Sequence, residues 1–377
     1  MKLIKIFMCI TFFSLLSACG EQAEVTETTE PPVQEEVASA PAESMMAVAC
    51  DRTCLIDNTN AYIAAVAAHD PAAVPLAENI RFVENIQAMS PGEGLWQSIV
   101  AGPDSFAIYV PDEVTQSVGY LGMMRYMAAP PAPPGTSPEE RAEHAATAEK
   151  VEQPVLVAMR LQFADGKITE AEHLLATIRE TPVDDPDSPF AGRPAPIERL
   201  RTPRPGLLSE IPENLRMEHD ILIAVGESYY DALDDNNGSL MPFAENCQRH
   251  ENGMVTAGPE AGPGPNSSPD TAPIARDCAG QLDSKVFTYI DRIENRRVFA
   301  ADPVTGLVMG LSHFRHPMDN LPYEVVASDG STREYNMSFA PFDLPAAHIY
   351  KIGADGLVYE IEAMGFTAPY NSPTGWE

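Results

Sequence analysis

Two stretches of this chain can be laid over one another residue by residue. Tyr62, Pro75, Glu78-Asn79 and Glu84-Asn85 are matched by Tyr229, Pro242, Glu245-Asn246 and Glu251-Asn252, each 167 positions later. Further on, Ala164-Asp165-Gly166 with Glu170 and Glu172 recurs as Ala354-Asp355-Gly356 with Glu360 and Glu362, now 190 positions apart. A fixed self-similarity constrains architecture before local propensity does, because each copy must close the same fold. The change in spacing places 23 extra residues in the second copy between Asn252 and Glu294, and Gly258–Pro269 is the obvious seat for them. The copies occupy 49–180 and 213–377, joined by a proline-rich linker or strap at 181–212.

Each copy predicts the same order of elements. In the first, an apolar-periodic helix runs Thr53–Ala68 and is stopped by His69-Asp70-Pro71, with a short helix near Ala72–Ala77. Strands follow at Ile80–Asn85, Phe106–Val110, Gln116–Ala128, Pro154–Phe163 and Ile168–Ala176, the last two joined by the hairpin signal Asp165-Gly166. In the second, a helix over Asn214–Leu233 precedes strands at Cys247–Asn252, Arg296–Ala301, Leu307–His316, Ala346–Ile352 and Leu357–Met364. Irregular excursions of nearly equal length, Pro130–Lys150 and Asn320–Pro341, interrupt both.

The first nineteen residues read as an export signal. Lys2 and Lys5 precede an apolar run, Ile6–Leu16, too short for a comfortable membrane span. Leu16-Ser17-Ala18-Cys19 resembles a bacterial lipobox, which implies a lipid on Cys19, and Gly20 implies no retention at the inner membrane. The address expected is an outer-membrane lipoprotein, periplasmic or surface-facing, touching the membrane only through that lipid. Residues 20–48, rich in Glu, Thr and Pro without Lys or Arg, read as a disordered acidic tether. A formal net charge of −31 argues against nucleic acid and anionic membranes as partners.

Four cysteines remain for the exported body: Cys50, Cys54, Cys247 and Cys278. An even number in an oxidising compartment suggests two bridges. Of three connectivities, Cys247–Cys278 with Cys50–Cys54 is preferred, because the former closes the long insertion, contributing roughly 3–4 kcal/mol in a loop-entropy view. A four-cysteine zinc site is the rival, with spacings unlike the usual short pairs.

One long helix, a short one, a strand, then a curved antiparallel run ending in a hairpin describes an α+β cone. The order resembles the nuclear-transport-factor-2-like fold, which includes SnoaL-like cyclases. More closely, Cys50-Asp51-Arg52, Arg249-His250-Glu251-Asn252-Gly253, Cys278, Arg296-Arg297-Val298, Phe314-Arg315-His316, Pro369-Tyr370 and Gly375-Trp376 resemble a tandem family of uncharacterised exported bacterial and secreted fungal proteins. The resemblance implies two tandem cones and carries no activity with it.

The repeat also marks where chemistry could sit. On the strand Ile80–Asn85, Ile80, Phe82 and Glu84 share the inward face, so their counterparts Cys247, Arg249 and Glu251 point inward too. Phe106 and Ala107 likewise align with Arg296 and Arg297. Cations where the sister copy has hydrocarbon suggest a polar, anion-friendly cavity, since buried charge is costly unless paired. His316 ends one long strand and His348 begins its neighbour. Candidate catalytic residues are therefore His316, Glu251 and Arg249, and candidate ligand-binding residues are Arg296, Arg297, Arg315 and His348. The bland reading of Arg249 and Glu251 is an internal salt bridge. His313 and His316 fall on opposite faces of a strand, which disfavours a metal site between them. There is no Gly-rich phosphate loop, Gly-x-Ser-x-Gly elbow or His-Glu-x-x-His, and no cofactor is implied. The function expected is binding of a small polar or anionic organic ligand in the second copy, with or without acid–base lyase, isomerase or hydratase turnover. The alternative is a non-catalytic envelope lipoprotein serving protein contacts.

Overall fold

A computed structural model of the chain describes residues 49–130, 132, 136, 138–182, 193–261, 272–337 and 339–377. The export signal with Cys19, the acidic tether, part of the linker and most of Gly258–Pro269 lie outside the described residues. Residues 47–377 form one compact unit.

The first half begins with α1 (Arg52–Ala67), capped by the Asp51 carboxylate, which accepts the Cys54 N–H at 2.9 Å. A single 3-10 turn (Pro71–Ala73) replaces the expected short helix, since Pro75 ends it and β1 (Leu76–Glu84) starts at once. Then come β2 (Gln87–Met89), α2 (Leu95–Ser98), β3 (Ile99–Ala101), β4 (Ala107–Asp112) and β5 (Ser117–Ala128). The expected irregular excursion contains a helix, α3 (Pro138–Thr147), before the hairpin of β6 (Val151–Ala164) and β7 (Lys167–Thr177). In space the order is β2-β1-β7-β6-β5, with β3 and β4 both pairing with β5. Only the β1–β7 pair is parallel, as a long connection between its strands permits.

After α4 (Pro205–Leu208), the second half repeats this plan with α5 (His219–Asp234), β8 (Phe243–Glu251), β9 (Met254–Ala257) and α6 (Cys278–Asp283). It continues through β10 (Arg292–Asp302), β11 (Leu307–His316), the small hairpin β12 (Tyr323–Val326) and β13 (Thr332–Tyr335), then β14 (Phe342–Ile352), β15 (Val358–Gly365) and β16 (Ala368–Pro369). The order is β9-β8-β15-β14-β11-β10, again with one parallel pair, β8–β15, and β16 on the edge of β14. The helix starts five residues later than expected from Asn214, because Glu213–Leu215 form a 3-10 turn and Arg216 and Glu218 are extended. Both disulfides, Cys50–Cys54 and Cys247–Cys278, are formed, which leaves none of the four thiols for zinc.

Each sheet uses both faces. One packs on its own helix: Leu55, Tyr62, Ile63 and Val66 of α1 meet Phe82, Met124, Val157 and Leu161, while Leu222, Tyr229, Tyr230 and Leu233 of α5 meet Val308, Tyr350 and Ile361. The opposite faces pack on each other. Ile108, Leu121, Met123, Leu156 and Leu174 of the first sheet share one buried cluster with Leu307, Met309, Leu311, Ile349 and Met364 of the second. Each such side chain contributes roughly 1.5–3 kcal/mol by leaving water, so the halves are joined as firmly as a core.

The edges of this junction are reciprocal. Arg52, opening α1, donates to buried Asp302 of the second half at 3.0 Å; His219, opening α5, meets buried Asp112 of the first at 2.8 Å. Arg52 and His219 stand 167 positions apart, Asp112 and Asp302 stand 190 apart, so the junction obeys an internal two-fold like an isologous dimer.

Candidate functional site

The helix-side faces of the two sheets can be compared through their pairing registers. Across the first sheet, Glu84 lies opposite His173, His173 opposite Met159, and Met159 opposite Tyr120. Across the second, the same row reads Glu251, Ala363, His348 and Gly310. Three bulky side chains in the first row thus become Ala363, His348 and Gly310.

In the first half the row is closed by a hydrogen-bonded chain. His173, fully buried, meets the Tyr62 hydroxyl through Nε2 at 3.0 Å and the Glu84 carboxylate through Nδ1 at 3.2 Å. Both Glu84 oxygens accept the Leu95 N–H at 3.0 Å. Gly94 allows this approach: its φ is +63°, and a Cβ there would stand 2.2 Å from Glu84 Oε1. Trp96, carried by α2, then covers Tyr62 edge-on with ring centroids 5.4 Å apart.

In the second half Arg249 takes the place that Phe82 holds, and its fork replaces the imidazole. Nε donates to the Tyr229 hydroxyl at 2.9 Å, Nη1 to Thr256 Oγ1 at 2.7 Å and Nη2 to Glu251 Oε2 at 2.6 Å. Burial works against this charge, but Tyr229 and Glu251 outweigh it and hold the guanidinium's pKa above its usual value. The pair is the internal salt bridge of the bland reading, yet it also faces open space. An inner chamber of about 70 Å³ is lined by Tyr229, Arg249, Glu251, Phe314, His316 and His348, with Ala363 at its wall. An outer chamber of about 260 Å³ shares Arg249, Glu251, Phe287 and Tyr289 with it and adds Arg193, Thr256, Arg276 and Gln281. The two therefore meet at the Arg249–Glu251 pair.

Burial pushes His316 down to about 4, and it pushes His348 far below the usual imidazole range, with Arg249 adding to the effect. Both rings are neutral at pH 7, and Nδ1 of each is buried without a hydrogen-bond partner. His316 stacks on Phe342 with centroids 4.2 Å apart, and on Tyr289 at 5.4 Å. Burial also raises Tyr289, which keeps its phenolic proton.

The remaining cations expected at the ligand site lie elsewhere. Arg315 follows Phe314 and precedes His316, so strand alternation sends it to the opposite face. There it donates to Glu294 at 2.8 Å and pairs with buried Asp343 at 2.5 Å. A register irregularity near Asn295, whose φ is +50°, re-aims the next two residues. Arg296 reaches out to Asp231 and Asp234 of α5, and Arg297 crosses to Glu172 of the first half at 2.6 Å. Phe106, the counterpart of Arg296 by alignment, also faces the other sheet. Conversely, Phe287, Tyr289 and Arg276 line the site although no sequence motif marks them; they follow the insertion at Gly258–Pro269 and precede Glu294. Among the described residues no three His, Cys, Asp or Glu side chains converge as metal ligands, and no helix is long and apolar enough to cross a membrane.

Residues 215–365 match the family model described as a domain of unknown function (DUF8021). No curated protein matches the chain. Among solved structures, similarity is found to a candidate polyketide cyclase from a Silicibacter species, 13% identical over 40% of this chain and 92% of that one, with a TM-score of 0.25. An NTF2-like protein from Burkholderia thailandensis is 18% identical over 39% and 89%, with a TM-score of 0.21. A protein of unknown function with a cystatin-like fold from Methylobium petroleophilum is 14% identical over 41% and 79%, with a TM-score of 0.22. At these TM-scores the likenesses decide neither fold nor activity.

Proposed function

We propose that the second half binds a small organic molecule in its two-chambered cavity, with a polar group of the ligand set against Arg249 and Glu251. The supporting observation is the exchange of His173 for Ala363 along one cross-sheet row, which leaves Ala363 at the wall of the inner chamber. A cleft with apolar walls and a few convergent polar groups is the usual form of a small-molecule site. Binding carries this reading more strongly than turnover does. An imidazole held near 4 is a poor proton acceptor at neutral pH, where an efficient general base titrates near 7. Acid–base chemistry of lyase, isomerase or hydratase type would run through Glu251, with Arg249 steadying an anionic intermediate.

The same reading takes the halves as tandem NTF2-like cones arisen by duplication, supported by their shared strand order. It takes the chain as an envelope lipoprotein, supported by the run ending in Cys19. Mass spectrometry of the N-terminal peptide from bacterial membranes checks the latter: a diacylglyceryl thioether on Cys19 is expected, and an unmodified leader would refute it.

The binding reading is tested by a thermal-shift screen against carboxylates, lactones and metals on the wild type and on Ala363→His, which restores the side chain of the first half. Ligands that raise the wild-type midpoint should leave the folded variant unmoved. Equal shifts in both would place the ligand elsewhere and sink the reading.

A further inference from the structure

The outer chamber has a charge that sets it apart from the rest of the molecule. The chain carries a net charge of −31, yet among the described residues this chamber is lined by three arginines, Arg193, Arg249 and Arg276, against one carboxylate, Glu251. Glu251 is already engaged by Arg249. Arg276 is different: among the described residues its buried Nε has no hydrogen-bond partner. Burial and the nearby Arg193 and Arg249 disfavour its charge, the situation a bound anion would relieve.

One covalent feature, the Cys247–Cys278 disulfide, aims these groups at one space. Arg249 stands two residues after Cys247 on β8, and Arg276 two residues before Cys278, at the start of α6. The disulfide holds those cysteines at a Cα separation of 5.9 Å, so both guanidinium-bearing segments are pinned to the same wall. The inner chamber beyond the Arg249–Glu251 pair is walled by Phe287, Tyr289, Phe314, Leu344 and Ala346. Such walls cannot replace the hydration of an ion but do suit a ring system.

We propose that the outer chamber is an anion subsite and that the ligand is an amphiphilic organic carboxylate, its aromatic or alicyclic body in the inner chamber and its carboxylate on Arg276 and the free edge of the Arg249 cluster. The assignment rests on the cavity reading above and goes beyond it by naming the ligand class. A planar guanidinium presents paired N–H groups that match a carboxylate in two parallel hydrogen bonds, and the contact is stronger in a partly dry cleft than in water. An inorganic anion would satisfy only the outer chamber and leave the apolar one wet.

The test uses the full chain and two probes of one shape, 2-naphthoate and its neutral isostere 2-naphthamide, followed by isothermal titration. The wild type should bind the carboxylate at least roughly tenfold more tightly than the amide, the worth of one charge-assisted contact, with the gap narrowing as salt is added. Arg276→Gln should bring the carboxylate down to the amide's affinity and leave the amide unchanged. Ala363→His should abolish binding of both. Equal affinities for the two probes in the wild type, or an undiminished gap in Arg276→Gln, overturn the anion subsite while the inner cavity stands. Failure of both probes to bind the folded wild type overturns the subsite and counts against the cavity reading with it.

Discussion

Glu84 and Glu251 begin from the same place, the end of a strand lying parallel to the second strand of the closing hairpin, and come to different ends. Glu84 is buried beneath Leu95 and bound to His173, which is itself bound to Tyr62. Glu251 faces Ala363, and its partner is Arg249, which reaches Tyr229 instead. The tyrosine, the carboxylate and the sheet persist. What changes is the group between them, from an imidazole that fills the row to a guanidinium that borders a cavity. One fold can therefore spend the same frame on stability or on an opening, and the deciding volume is a few side chains.

The comparison can be broken most forcefully at His173. His173→Ala should cost about 4 kcal/mol, since it opens a cavity and strands the Tyr62 hydroxyl and the Glu84 carboxylate. Urea denaturation measures it, and a loss below about 1 kcal/mol would show that the first half tolerates the open state of the second. Next is the junction. Arg297→Ala leaves Glu172, buried and formerly held by two hydrogen bonds of 2.6 and 2.8 Å, without its cation. A loss of about 3 kcal/mol is expected, with the halves unfolding in separate transitions if the junction is what couples them.

The neutral histidines give the third. His316 titrates near 4 in the fold and near 6.5 when unfolded, so below pH 6.5 the unfolded chain takes up a proton that the fold refuses. Stability contributed by the neutral ring is intact above that pH and lost as the pH falls toward 4. The loss at pH 5 is about 2 kcal/mol. His316→Phe should flatten that decline in a series of melts, leaving the shares due to His348 and His313, which burial also lowers, and to His250, which burial depresses to about 3. The smallest effect belongs to the reciprocal edge contacts. His219 is opposed by burial, but Asp220 and Asp112 raise its pKa above the ordinary value. Its contribution is therefore full below pH 6.5 and fades as the pH rises through the folded value. His219→Gln should cost about 1 kcal/mol at pH 5.5 and less at pH 9, whereas Arg52→Gln at the matching position should show no such pH dependence.

Much of the frame was legible before any coordinates. The constant spacings located equivalent elements, alternation placed Arg249 and Glu251 on one face, and the insertion made Cys247–Cys278 the economical bridge. The expected helix at Asn214 came out late because capping depends on where the chain enters from the linker. Strand alternation could also have excluded Arg315 from the cavity, since it sits between Phe314 and His316. Nothing local could do so for Arg296 and Arg297, because a backbone irregularity at Asn295 decides their faces.

The sequence by itself determined the repeat, the order of strands and which half carries the added charge, because these follow from periodicity and from residue-by-residue alignment. Only the tertiary structure decided which charges serve a cavity. Arg297 and Arg249 are equally cationic, and one meets Glu172 across a sheet-to-sheet junction while the other borders open space. That difference arises from packing between segments more than a hundred residues apart, where a side chain's fate depends on what the opposite surface leaves unfilled.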